Sequence, residues 1–204
     1  MKYTTKELST ETWPDFEKLF GSPAGLVGDG WWCWCTHHHV TSYSSPENLQ
    51  PRTRLERAEK NRRKKADLVQ TGCAHGILVY ENEEPVGWCQ YGPSDELPRM
   101  NNSRNYQRLA LEKRSKQRLW RITCFVIDKR HRRRGVASLA LGAALDAIRE
   151  KGGGLVEGFP VERTDQGSNY MYCGTVGMFQ RAGFQKVAPL SNGRTSTVVM
   201  RRSL

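Results

Sequence analysis

The stretch Phe125-Val126-Ile127-Asp128-Lys129-Arg130-His131-Arg132-Arg133-Arg134-Gly135-Val136-Ala137-Ser138 constrains the fold more than any other part of the chain. It reads as an apolar strand, Leu119 to Ile127, then a basic turn, Asp128 to Arg134, then an amphipathic helix, Gly135 to Lys151, with Leu139, Leu145 and Ile148 on one side. The second half of the strand is apolar on both faces, so it belongs in a sheet covered on both sides. A helix that starts directly beyond a buried strand presents its free N–H groups and the positive end of its dipole to whatever lies there. Gly135 lets the backbone approach a ligand, Ala137 does not obstruct it, and Arg132, Arg133 and Arg134 add full charges suited to phosphates. The junction is an anion cradle, with charge enough for several phosphates. It is neither of two better-known phosphate loops, since the chain has no Gly-x-x-x-x-Gly-Lys-Ser/Thr and no Gly-x-Gly-x-x-Gly after a strand.

The surrounding pattern is mixed. Thr12 to Phe20 has helical spacing of Trp13, Phe16, Leu19 and Phe20, and Arg52 to Thr71 reads as a second helix stopped by Gly72. His75 to Tyr80 and Val86 to Tyr91 form a hairpin around Glu81 to Pro85, and the irregular stretch to Asn102 suits a loop over a site. Leu155 to Pro160 is a strand, Cys173 to Ala182 a short helix stopped by Gly183, and Phe184 to Leu190 with Thr195 to Arg201 a last hairpin. Trp31 to Cys35 is apolar and β-prone before it turns abruptly to His37-His38-His39. With no internal repeat and no long linker, the expectation is one α/β domain over residues 1–204.

Charge is unevenly placed. Of a net +11, nearly all sits between Arg104 and Arg134, where twelve Lys and Arg face only Glu112 and Asp128. A second basic run, Arg52 to Lys65, carries its charges at helical spacing and reads as a solvated helix face. The positive balance implies an anionic partner. Cys33, Cys35, Cys73, Cys89, Cys124 and Cys173 lie in apolar stretches and read as reduced core thiols. The start, Met1 to Glu7, has no apolar signal core, and no run approaches the roughly 20 apolar residues of a membrane span. The expectation is a cytoplasmic protein with no membrane partner.

Arg132-x-x-Gly135-x-Ala137 at a strand-to-helix turn resembles the signature Arg/Gln-x-x-Gly-x-Gly/Ala of the GNAT superfamily of acyl-CoA N-acyltransferases. Phe179-x-x-x-Gly183-Phe184, a short helix running into a strand, is similar to the same family's Tyr-x-x-x-Gly-Phe. The resemblance covers about residues 74–202, and Pro85 to Pro93 and Glu157 to Glu162 look like bacterial members of unassigned substrate. Residues 1–73 then supply N-terminal helices and acceptor-side loops. The implied fold is a GNAT-like mixed α/β (α+β) one: a mostly antiparallel central sheet flanked by helices and splayed at the strand before the turn.

The resemblance implies acetyl-CoA as the acyl donor and an amine as acceptor, with direct transfer in a ternary complex of a monomer or homodimer. It implies that Cys124 to Ile127 line the splay, with Phe125 N–H polarising the acetyl carbonyl and Ile127 pairing with pantetheine. The amides of residues 133–138, which include Arg133, Arg134, Gly135, Val136, Ala137 and Ser138, take the pyrophosphate beside Arg132, and Phe179 packs by the cofactor. Two departures bear on proton transfer. The family's proton-donating tyrosine is Phe179 here, and its usual base glutamate corresponds to Arg121. An alkyl amine is mostly protonated at neutral pH, so a base is still needed. Glu157 and Glu162, acting through water, are the base candidates, and Tyr172 or Tyr170 the acid candidates. A purely structural role stands beside the catalytic one for each of the four.

Three other readings compete. Cys33-x-Cys35 with His37 to His39 invites a metal, but the spacing is not Cys-x-x-Cys and no second pair exists, so none is expected. The basic 104–134 surface invites nucleic acid, but no interleaved aromatics, zinc spacing or recognition-helix pattern accompanies it. A GNAT-like fold that binds CoA without catalysis is the third. Trp34, Trp88 and Tyr91 stack on an acceptor or, by default, belong to the core.

Overall fold

The computed structural model describes residues 3–21, 33–41, 53–111, 117–164, 168–191 and 195–204, with the backbone alone at 163–164, 168–170, 191 and 195. Its strands are β1 (Tyr3–Glu7), β2 (His75–Glu81), β3 (Glu84–Pro93), β4 (Leu119–Ile127), β5 (Leu155–Gly158), β6 (Val161–Thr164), β7 (Gln185–Ser191) and β8 (Thr195–Ser203). They form one sheet in the order β1-β2-β3-β4-β5-β8-β6, with β7 on the other side of β8. Every pairing is antiparallel except β4 with β5. The helices are α1 (Trp13–Gly21), α2 (Arg54–Gln70), α3 (Arg104–Arg108), α4 (Val136–Glu150) and α5 (Val176–Arg181). The expected α/β architecture, a mostly antiparallel sheet flanked by helices, is what the chain adopts.

Alternation along the strands sends side chains to two cores. Ile77, Val79, Ile122 and Phe125 meet Ala140, Leu141, Ala144 and Ile148 of α4 on one face. Leu78, Tyr80, Trp88, Cys124 and Val126 meet Phe16, Leu19 and Phe20 of α1 on the other. Trp34 lies in this second cluster, so it and Trp88 and Tyr91 are buried core residues.

Several elements depart from expectation. β1 is an added edge strand: five residues alternating half-buried and exposed, with too little apolar content to stand out. Residues 33–35 are a turn and not a strand, because Trp34 and Cys35 take φ of 45° and 50°. That reversal tucks both side chains into the core, and a 3-10 turn, His37–His39, follows. Trp31 and Trp32 lie outside the described residues. The strand ending at Pro160 is continued by β6, and a 3-10 segment, Ser168–Cys173, precedes α5. α2 opens on a capping box, Thr53 Oγ1 accepting from Glu56 N and Glu56 from Thr53 N. Its face is not wholly solvated: Lys65 is buried with Ala58 and Val69. Of the cysteines, all free thiols, Cys35, Cys89 and Cys124 are core residues, while Cys33, Cys73 and Cys173 are half-buried.

Candidate active site

β4 is paired along its whole length on one side only. Against β3 the register runs Gly87↔Ile127, Trp88↔Val126, Cys89↔Phe125 and Gln90↔Cys124. Asp128 N donates to Val86 O at 2.9 Å, which marks that pair as hydrogen-bonded. Antiparallel ladders alternate, so Val126 and Cys124 also bond to β3, and the N–H and C=O of Phe125 and Ile127 point to the opposite edge. On that edge β5 pairs only as far as Ile122↔Gly158. The two parallel strands part beyond it, and Phe125 and Ile127 face the gap. Where they part, Thr123 is an extra residue between the Gln90↔Cys124 and Tyr91↔Ile122 pairs, a bulge in β4. Its hydroxyl donates to Gln90 Oε1 at 3.0 Å.

The gap ends at the start of α4. Asp128 caps a 3-10 turn, Lys129–His131, by accepting from Arg130 N, and its carboxylate is ion-paired to the Arg130 guanidinium at 2.6 Å. His131 turns inward, against the Tyr3 hydroxyl at 3.2 Å. Arg133 and Gly135 take φ of 59° and 82°, and no side chain caps the helix. The first-turn amides of α4 therefore have no capping side chain. Gly135 supplies the left-handed geometry at no steric cost, and a Cβ there would meet nothing within 4 Å. Gly87 on β3 instead answers a packing need, since a Cβ there would come within 2.6 Å of Val136. Arg132, Arg133, Arg134, Gly135 and Ser138 are exposed, Ala137 is half-exposed, and Arg132 Nε donates to Ile127 O at 3.3 Å on the open edge. Exposed donors, an uncapped helix start and open space at Gly135 fit a polyphosphate group.

Phe179 is fully buried, edge-on to Phe125 with ring centres 6.2 Å apart and to Phe184 at 4.9 Å. Gly158, at the end of β5, has no room for a Cβ because that ring lies over it. Tyr172 is exposed over part of its side chain, while its hydroxyl is raised first by the Cys173 thiol beside it and then by local burial of the hydroxyl itself. The Tyr170 side chain lies outside the described residues. Glu162 is exposed on β6 and ion-paired to Lys186 at 2.6 Å. Glu157 is fully buried on β5: Arg201 Nη2 donates to its Oε1 at 2.6 Å, the Tyr106 hydroxyl to its Oε2 at 2.7 Å, and Arg121 Nε lies 3.7 Å away. The structure thus brings the cradle, Phe125, Ile127 and Phe179 together, and sets Glu157 among arginines.

Sequence reasoning missed Tyr106, Gln90, Lys65 and Arg201. Arg121, fully buried, also donates to Leu97 O at 2.9 Å, which fastens the loop after β3 over this face. Gln90 Nε2 donates to Cys35 O at 2.9 Å and lies 2.9 Å from His39 Nε2, which also contacts Lys65 Nζ at 3.2 Å. Burial, then the Arg99 charge, lowers His37 to about 4. Burial first, with neighbouring cations, likewise lowers His38 and His39, so all three imidazoles are neutral near pH 7. Among the described residues no group of three or more His, Cys, Asp or Glu could hold a metal ion. None of their helices is long and apolar enough to cross a membrane.

The family model for the acetyltransferase (GNAT) family matches residues 31–184. The chain belongs to that family. It is an acyltransferase by membership. No curated protein matches it. Among solved structures it is similar to an N-acetyltransferase from Staphylococcus aureus Mu50, 12% identical with a TM-score of 0.56, over 100% of this chain and 99% of that one. It is also similar to an agmatine N-acetyltransferase variant in its apo form, 11% identical with a TM-score of 0.58, over 100% of both chains. A third is a Salmonella typhimurium acetyltransferase with its cofactor acetyl-CoA, 10% identical with a TM-score of 0.50, over 99% and 94% of the two chains.

Proposed function

We propose that residues 1–204 act as one unit that transfers an acetyl group from acetyl-CoA directly to the primary amine of a small molecule. The observation that carries this reading is the gap between β4 and β5, which the N–H and C=O of Phe125 and Ile127 face and which ends at the uncapped start of α4. The amides of residues 133–138 with Arg132, Arg133 and Arg134 hold the pyrophosphate. Ile127 aligns the pantetheine arm by backbone pairing. Phe125 N–H donates to the thioester carbonyl, whose oxygen gains negative charge as the amine attacks, and a preorganised donor of this kind is worth about 3 to 4 kcal/mol of barrier. Acetyl-CoA supplies the activated acyl group, and two of the similar solved structures, one holding acetyl-CoA and one named for agmatine, support donor and acceptor class.

For protons, Tyr172 is the acid assigned to the leaving thiolate: its hydroxyl carries its proton at neutral pH, and its raised value makes it a weaker donor than an ordinary phenol. Of the two carboxylates, Glu162 is exposed and paired to Lys186, and its access to water supports the reading in which it takes the amine proton. Glu157, closed in by Arg201, Arg121 and Tyr106, serves as a brace that fixes the floor of the cleft. The test is a panel of primary amines, amino acids and peptides assayed for free-thiol release with acetyl-CoA, beside a thermal-shift titration with CoA. Thiol release with one acceptor class and a rise in melting temperature are expected. No shift at millimolar CoA would overturn the reading.

A further inference from the structure

Five of the six cysteines gather where the turn after α1 meets β4. Cys35 and Cys124 hold their sulfurs 3.2 Å apart, Cys33 hydrogen-bonds Cys35, and Cys89 and Cys173 stand within electrostatic reach of the pair. The two sulfurs are separated by 89 residues of chain, so nothing local brings them together. The turn does. Trp34 and Cys35 both occupy the left-handed region, at φ of 45° and 50°, which residues with side chains adopt only at a cost. The product of that cost is a Cys35 side chain turned onto β4, against the residue that precedes Phe125.

The charge beside the pair is unusual too. Lys65 is fully buried, its ammonium 5.5 Å from the centre of the Trp88 ring and 5.8 Å from that of Phe16, and His39 Nε2 at 3.2 Å is its hydrogen-bond partner. Among the described residues no carboxylate forms an ion pair with it; its electrostatic neighbours are Cys35, Cys124, Cys33 and, last, Glu96. A buried cation is costly without a paired anion, and the Lys65 charge acts on Cys35 in the direction that favours its thiolate, against the larger opposing effect of burial.

The geometry points to Cys35 and Cys124 as a dithiol modification site, which an oxidant of the peroxide class closes to a disulfide and a thiol reductant reopens. One thiolate sulfur attacks a peroxide oxygen, the O–O bond breaks, and the departing hydroxide takes a proton to become water. The other sulfur then attacks the sulfenic acid, forming the S–S bond and releasing the second water. Two thiols lose two electrons and two protons, and one peroxide becomes two waters. Where Cys33, half-buried and hydrogen-bonded to Cys35, meets the peroxide first, Cys35 attacks its sulfenic acid and water leaves; the Cys124 sulfur then attacks Cys35, so that the Cys35–Cys124 bond forms as the Cys33–Cys35 bond breaks and Cys33 departs as a thiolate that takes a proton. The S–S bond draws the sulfurs to about 2.05 Å and ties the turn to β4 at the edge of the gap.

The groups facing the pair are Lys65 from α2, Cys33 of the turn, Cys89 of β3, and Tyr172 and Cys173 of the segment before α5. Burial, with the Cys124 contact, holds Cys35 above the ordinary thiol range, and burial with neighbouring thiols outweighs the lowering contact with Cys35 at Cys124. Oxidation is therefore slow near neutrality and quickens as the pH rises.

The experiment treats the full chain with hydrogen peroxide at about pH 8, near the ordinary thiol range, blocks free thiols with N-ethylmaleimide and digests without reduction. A peptide joining Cys35 to Cys124, two hydrogens lighter than its parts and lost on dithiothreitol, is the expected product. It should form in Cys73→Ser and be absent from Cys35→Ser and Cys124→Ser. The wild-type map alone decides the matter if either variant fails to fold. Absence of that peptide, a link through Cys73, a link between chains, or irreversible sulfinic acid at Cys35 in its place would overturn the assignment.

Discussion

Arg201 donates from both Nε and Nη2 to one oxygen of Glu157, at 2.8 and 2.6 Å, across the β5–β8 pairing that sets the two residues opposite each other. The other oxygen takes the Tyr106 hydroxyl, so a carboxylate with no solvent contact has its acceptor capacity committed. Glu157→Gln keeps the shape but leaves Arg201 and Arg121 without their counter-charge. Breaking a buried pair from one side costs about 3 to 5 kcal/mol, which denaturant unfolding measures directly. Per folded molecule, kcat/KM and its pH profile should hold. A loss of roughly 10²- to 10⁴-fold, the size expected for a missing general base, with unchanged unfolding would restore Glu157 to the chemistry.

Gly135→Asp is the test of the cradle. The substitution puts a side chain at φ 82° and a negative charge at the uncapped start of α4. Because the added Cβ meets nothing in the protein, the fold should persist with a modest loss of stability. At a hundredfold excess of CoA over Kd the wild type should gain about 2.7 kcal/mol, read as a higher melting temperature, and the variant nothing. An undiminished CoA shift in the variant would mean that the phosphates bind elsewhere.

The backbone part of the site was legible because it depends on local pattern: an apolar run, a glycine and arginines in the turn, then helical spacing through Leu145 and Ile148. What could not be read is carried by contacts distant in sequence. Tyr106 and Arg201 reach Glu157 across 51 and 44 residues, and no periodicity records such a meeting. Cys33-Trp34-Cys35 suits a strand by composition, and only the burial of both Trp34 and Cys35 on one side demands the left-handed turn seen. Lys65 did carry a signal. It falls seven residues after Ala58 and four before Val69, on the inward face of α2, but a basic run dominated by exposed charge concealed it.

Phe179→Ala addresses packing beside the gap. The ring is fully buried, touches Phe125 and Phe184 edge-on, and covers Gly158 at the point where β5 leaves β4. Truncation should cost about 3 to 5 kcal/mol, measured by denaturant unfolding, while the folded fraction keeps most of its kcat because the ring carries no titratable proton. A selective fall in kcat with unchanged stability would contradict the packing role.

The last prediction concerns Lys65, whose burial lowers it from the ordinary 10.5 to about 8. Between those values the unfolded chain binds more protons than the folded one, so this group makes stability rise with pH across the window. Below pH 8 it is charged in both states and the burial penalty, about 3 kcal/mol by linkage, is felt in full. Lys65→Met keeps most of the volume and removes the charge, so at pH 7 the variant should melt above the wild type. The thiols work in the opposite sense: half-buried Cys33 and buried Cys35, Cys89 and Cys124 are all raised, so they subtract stability above about pH 9, where unfolded thiols ionise. Removing Lys65 also removes a charge that lowers Cys35, so above about pH 9 the thiols weigh more on the variant and narrow the difference further, and the Lys65 effect is read between about pH 7 and pH 9. That gap should be widest at pH 7, narrow through pH 8 and be nearly gone by the ordinary lysine value. A wild type as stable as the variant at pH 7, or a gap that ignores pH, would show that an anion already neutralises Lys65 in the folded protein.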